Sequence, residues 1–191
     1  MPLVERLVGG HLAEKRGDRV CYLDADLGAV TYTGLYEAIR GYAGALRARG
    51  VQPGTRGVVV ADDSVATVVA VLGLWWHGCT PVPVSHMLTE PEISFIVRDC
   101  AARFLHLDAP AAKQLALGAR FAALPRLTGD EVRQAFQTGG PAAVGGGRRA
   151  SEPASFPADA EVLVQYTSGS TGTPKGVRHG LTGIRAALDG F

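Results

Sequence analysis

One stretch limits the fold of this chain more than any other. From Val65 to His77 the residues run Val-Ala-Thr-Val-Val-Ala-Val-Leu-Gly-Leu-Trp-Trp-His, apolar nearly all round a helical wheel. A surface helix keeps a polar face; one without it has to be covered on more than one side, so it belongs between layers. The run from Val65 to Trp76 is too short to span a bilayer. Asp62, Asp63 or Ser64 is placed to cap this helix and Gly78 to end it. Val58 to Val60 before it reads as a short buried strand, and Pro81-Val82-Pro83-Val84 after it as an edge or extended strand. Thr89 caps a second helix from Glu90 to about Cys100, with Ile93, Ile96 and Val97 inward, and Arg103 to Leu107 is strand again. Strand, helix, strand, helix, strand in such short succession predicts an α/β fold, layered sheets flanked by helices, with parallel strands.

The amino-terminal part adds a hairpin and a helix. Arg19 to Leu23 and Ala29 to Tyr32 are β-type runs joined by the turn residues Asp24 to Gly28. Thr33 is the expected cap of a helix ending near Arg49, with Gly50 as its stop and Leu35, Ile39, Tyr42 and Leu46 on one face. Further helices are expected over Ala109–Leu117 and Asp130–Gln137. From Thr138 to Pro157 the composition turns to glycine, proline, serine and arginine, which predicts a solvated connector. The chain therefore divides into an α/β subdomain over 1–137, a connector over 138–158, and a segment over 159–191 that opens on the strand Val162–Val164.

The remaining composition mainly excludes. A net charge of +1 gives no electrostatic argument for nucleic acid or an anionic membrane. No apolar stretch near Met1 has the length of a leader, and Cys21, Cys79 and Cys100 are odd in number and widely spaced, as expected of reduced thiols in a cytoplasmic protein. His11, His77, His86 and His106 show no metal-ligand spacing.

The chemistry sits in Val164-Gln165-Tyr166-Thr167-Ser168-Gly169-Ser170-Thr171-Gly172-Thr173-Pro174-Lys175-Gly176-Val177. A strand that breaks into hydroxyls and glycines and ends on one lysine suits a phosphate chain. Gly169 and Gly172 allow close approach of the backbone, and successive exposed N–H groups make an anion-binding concavity. Hydroxyls add donors and Lys175 a mobile positive charge. Pro174 and Gly176 occupy the positions where a Walker loop needs glycine and a Mg-binding hydroxyl. No dinucleotide fingerprint or serine-hydrolase elbow is present either.

This run closely resembles the signature loop of the adenylate-forming superfamily, which holds acyl- and aryl-CoA synthetases, luciferases and peptide-synthetase adenylation domains. The order of elements from about residue 18 to 107 is similar to the opening of acyl-CoA synthetases. The resemblance implies the amino-terminal part of an ATP-dependent ligase that joins a carboxylic acid to AMP, releases pyrophosphate, and passes the acyl group to coenzyme A. It implies Thr167, Ser168, Gly169, Ser170, Thr171, Gly172 and Lys175 as phosphate contacts, with Lys175 stabilising charge and Mg²⁺ arriving with ATP. It also places His179 near an acyl pocket, although other members place their histidine two residues later, where this chain has Leu181. The family's adenine and ribose contacts and its mobile carboxy-terminal domain lie in further sequence, so a missing carboxy-terminal part or a complementary chain is the expected partner. A peptide-synthetase adenylation domain, or a non-catalytic nucleotide- or protein-binding remnant, are the alternative readings.

Overall fold

The computed structural model describes residues 1–108, 121, 123–139, 141–146, 152–167 and 174–190. A π-helical turn, Glu5–Gly9, leads into α1, Gly10–Ala13, a helical start that the sequence reading does not include. The expected hairpin follows, with β1 (Val20–Asp24) antiparallel to β2 (Gly28–Thr31). Asp24 Oδ1 accepts the amides of Asp26 and Leu27 and Gly28 takes φ +68°, which turns the chain back.

Helix α2, Tyr32–Ala48, is capped by Thr31 and not by Thr33: the Thr31 hydroxyl accepts the Gly34 amide at 3.1 Å. Thr33 lies inside the first turn, where its own amide is taken by the Gly17 carbonyl. Thr31 is the last residue with extended dihedrals, which a cap requires.

Strand β3 (Arg56–Ala61), helix α3 (Val65–His77), strand β4 (Thr80–Ser85), helix α4 (Glu90–Asp99) and strand β5 (Phe104–Leu107) then alternate as read from the sequence. Ser64 is the cap of α3, and Gly78 at φ +83° ends it in the left-handed conformation that favours glycine. Glu92 reaches back to the Thr89 amide at 2.8 Å and fixes the start of α4. A three-residue strand, β6 (Arg126–Thr128), and helix α5 (Gly129–Gln134) complete this part, α5 running on into a π-turn to Gly139. The helix expected over Ala109–Leu117 lies outside the described residues.

The four strands are parallel in the order β4-β3-β5-β6. Successive side chains of β3 serve opposite faces. Val59 joins the core formed with α2 and α3, while Val58 and Val60 join Val82, Leu105 and the inward face of α4. The sheet is thus covered on both faces, the three-layer arrangement expected, and α3 is buried along most of its length. Pro81 and Pro83 lie in β4, where the missing donors face the sheet's edge.

The segment expected to be a solvated connector is docked at several points. Val144 is fully buried in the core with α2, the Arg49 guanidinium donates to the Gly145 carbonyl, and the Ala154 amide donates to Trp76. One apolar side chain among glycines is enough to hold such a strap where a matching recess exists, and composition alone does not report the recess. Beyond it, β7 (Glu161–Thr167) and β8 (Lys175–Gly180) form an antiparallel hairpin that leads into α6 (Leu181–Asp189). No helix among the described residues is long and apolar enough to cross a membrane.

Candidate functional site

Among the places in the described fold that could receive a ligand, electrostatics separates two. The first is the crevice at the carboxyl ends of β3 and β5, where the strand order reverses; open α/β sheets commonly bind ligands there. A cavity of about 760 Å³ opens at that point. Its lining holds Asp24, Asp26, Asp62, Asp63, Asp108 and Asp130 against the single guanidinium of Arg133. That surface repels a triphosphate. Its best-buried carboxylates also have structural partners: Asp24 accepts the Val65 amide at the start of α3, and Asp108 accepts Arg133 at 2.5 Å and the Ser64 hydroxyl. Among the described residues no cluster of three histidine, cysteine, aspartate or glutamate side chains is arranged to hold a metal ion.

The second place is the open end of the β7–β8 hairpin. Val162 and Val164 of β7 are buried, and beyond them the strand emerges, with Gln165 and Thr167 exposed. At the base Arg56 of β3 grips Glu161 through Nε at 2.6 Å and Nη2 at 2.9 Å, and Arg178 of β8 donates to the same carboxylate. Burial opposes the Glu161 charge, but the two guanidiniums outweigh it and hold the carboxyl below its ordinary range. The Trp75 indole donates to the Val162 carbonyl at 2.6 Å, tying β7 to the end of α3.

Toward the tip, Tyr166 faces Gly176 across the ladder, and Thr167 faces Lys175. Thr167 and Lys175 are both exposed and are the last paired residues before the chain turns. Alternation along β8 puts Lys175, Val177 and His179 on one face, which joins Thr167, Gln165 and Leu163 of β7; Val164 and Tyr166 occupy the other, against α4. His179 is half-buried on that first face, roughly 13 Å along the strand from Lys175, and its Nε2 has no hydrogen-bond partner among the described residues. Ser168, Gly169, Ser170, Thr171 and Gly172 lie outside the described residues. The structure therefore puts Thr167 beside Lys175 and leaves His179 on the same face but four residues further along β8. It adds Tyr166, whose hydroxyl donates to Asp99 of α4 at 2.5 Å. An aromatic residue next to the hydroxyl run was visible in the sequence, but nothing there points to Asp99 as its partner.

An exposed lysine and threonine, side by side at the open end of an anchored hairpin, suit an anion and not a cation. The chain belongs to the AMP-binding enzymes, the adenylate-forming ligases, whose family profile it matches over residues 11–190. Among individual relatives, it is 29% identical over 185 residues to the 3-hydroxybenzoate--CoA/4-hydroxybenzoate--CoA ligase of Thauera aromatica, covering 94% of this chain and 35% of that one. It is 32% identical over 166 residues to Hybrid PKS-NRPS synthetase 1 of Dothistroma septosporum, covering 87% of this chain and 4% of the synthetase. The fold is that of a benzoate CoA ligase from Burkholderia xenovorans LB400, with a TM-score of 0.77 at 24% identity over 95% of this chain and 35% of that one. The chain thus spans about a third of the length of the ligases it matches.

Proposed function

We propose that this chain is the phosphate-gripping part of a ligase that activates a carboxylic acid with ATP, and that the open end of the β7–β8 hairpin is where it meets the nucleotide. In the reaction a carboxylate oxygen attacks the α-phosphorus, the bond to the bridging oxygen breaks, and pyrophosphate leaves with the electron pair. Negative charge grows on the leaving group, so positioned donors there lower the barrier. Lys175 supplies the ammonium, Thr167 a hydroxyl, and Ser168, Gly169, Ser170, Thr171 and Gly172 further hydroxyl and amide donors. Mg²⁺ carried by ATP would neutralise the phosphate oxygens, with ligands from the nucleotide, water and sequence outside these 191 residues. The same outside sequence, in one chain or a complementary one, would supply the adenine contacts and most of the acyl pocket, with His179 at its near edge.

The observation that carries this reading is the Thr167–Lys175 pair, exposed and adjacent at the end of a hairpin fixed at its base. The similarity to hydroxybenzoate–CoA ligases favours an aromatic acid and coenzyme A as acceptor. The similarity to a hybrid synthetase keeps an adenylation domain with a carrier-protein thiol as the second reading. Pyrophosphate exchange into ATP, with the complementing sequence present and a panel of aromatic, aliphatic and amino acids, tests both. Lys175→Ala should lower exchange by on the order of 10²-fold. Exchange unchanged in that variant would remove Lys175 from the chemistry. Stimulation by amino acids alone would favour the second reading.

A further inference from the structure

The hairpin is anchored at three levels, its base, its middle and its neck. Its base is already fixed by Arg56, Glu161 and Arg178, and its middle by the buried Val162 and Val164. Tyr166 lies two residues beyond Val164, the last buried residue of β7, and immediately precedes Thr167 of the exposed Thr167–Lys175 pair. Two contacts hold it. Its hydroxyl donates to Asp99 Oδ2 at 2.5 Å, and its ring covers Gly176 so closely that a Cβ there would lie 3.1 Å from Cζ. Gly176 thus serves the approach of the ring; a Cβ there would oblige the ring, with its hydroxyl on Asp99, to give by a few tenths of an ångström. Asp99 is the last residue of α4, the end at which a helix dipole disfavours a carboxylate. The same end of α4 is fastened a second time, because the Arg56 guanidinium that holds Glu161 also donates to the Cys100 carbonyl at 3.1 Å. One rigid helix end therefore carries both the base and the neck of the hairpin.

We propose that Tyr166 is a positioning residue for the Thr167–Lys175 end of the hairpin: through Gly176 and Asp99 it sets the spacing and direction in which Thr167 and Lys175 leave the ladder. This rests on the phosphate reading above. Tyr166 touches no phosphate itself; it acts through the two residues next to it. Burial and the neighbouring Asp99 carboxylate hold the phenol well above its ordinary range, so it stays a donor throughout the working pH span.

The test titrates the 191-residue chain with inorganic tripolyphosphate, following amide shifts for affinity and thermal unfolding for stability. Wild type should bind, and Lys175→Ala should bind at least about tenfold more weakly. Tyr166→Phe keeps the ring over Gly176 and loses only the bond to Asp99; it should weaken binding roughly threefold to tenfold at an unchanged melting temperature. Asp99 supplies a comparison of opposite sign. If it mattered only as a nearby negative charge, Asp99→Leu would tighten anion binding. If it positions Tyr166, Asp99→Leu should match Tyr166→Phe, and Asp99→Asn, whose amide oxygen still accepts the phenol, should retain wild-type affinity or better. Wild-type affinity in Tyr166→Phe, tighter binding in Asp99→Leu, or a loss of stability with no change in affinity would overturn the inference while leaving the phosphate reading intact. No affinity in wild type, or equal affinity in Lys175→Ala, would overturn the phosphate reading and this inference with it.

Discussion

His106 stands in the middle of β5 with no exposure to solvent, its Nδ1 2.9 Å from the hydroxyl of the equally buried Tyr42. Burial lowers its pKa to about 4; Asp108 nearby pulls the other way and Arg133 adds to the lowering. The imidazole is therefore neutral in the folded chain and is the hydrogen-bond partner of a phenol. The shift has a consequence for stability. Between about pH 6.5, where an unfolded histidine takes up its proton, and about pH 4, where the folded one does, the unfolded state binds more protons. Stability must then fall with falling pH across that window, by up to about 3 kcal/mol from this group, and level off below it. His106→Gln keeps a partner for Tyr42 and removes the titration. Urea unfolding at pH 7 and at pH 4 should show the wild-type chain losing about 2–3 kcal/mol more than the variant over that interval. Equal losses would show that His106 is protonated in the folded state.

At the scale of elements, the contact between α2 and α3 turns on Gly73. A Cβ at that position would lie 2.5 Å from Tyr42 Cδ1 and 3.0 Å from its Cβ. Tyr42 cannot swing away, since it is fully buried and hydrogen-bonded to His106. Alanine in a helix interior gains about 1 kcal/mol over glycine, whereas overpacking a rigid core costs about 1–3 kcal/mol. The overpacking should win, and Gly73→Ala should destabilise the chain by about 1 kcal/mol or more in chemical denaturation. A stabilised variant would mean that α2 and α3 slide apart freely.

The all-apolar pattern of α3 was readable as burial on several sides, because periodicity reports which faces are covered. The glycine that lets one helix approach another was not, because the atom it makes room for belongs to a residue 31 positions earlier in the sequence. Strand β6 escaped for a related reason: it is three residues long, with one apolar side chain, Leu127, and shows no alternation. The candidate site divides the same way. Its hydroxyls, glycines and lysine are consecutive and could be read at once. Asp99 and Arg56, which hold it in place, lie far off in the chain and obey no spacing rule.

For the molecule as a whole, the proposed phosphate site stands or falls with how the β7–β8 hairpin is joined to the four-stranded sheet. The joint is Glu161, whose side chain is 12% exposed and receives Arg56 from β3, 105 residues away, and Arg178 from the hairpin's own second strand. The Thr80 hydroxyl of β4 adds a bond to its carbonyl at 3.0 Å. Apolar anchoring there is thin, with Val162 and Val164 the fully covered side chains of β7, while β8 is exposed along nearly all its length. Such an element should open separately from the core, since local opening is easiest where few apolar contacts resist it. Glu161→Gln removes the charge from a largely buried, two-armed ion pair and leaves a guanidinium short of its partner, at a cost of about 1–3 kcal/mol. If the joint acts locally, that cost appears as roughly tenfold to hundredfold faster amide exchange along residues 162–167 and 175–180, with exchange in β3 and β5 unchanged. If the hairpin and the sheet unfold as one unit, all four strands should accelerate together and the melting temperature should fall in step. The first outcome gives the proposed phosphate-binding end its own mobility on a fixed base, and the second makes Glu161 part of the global core.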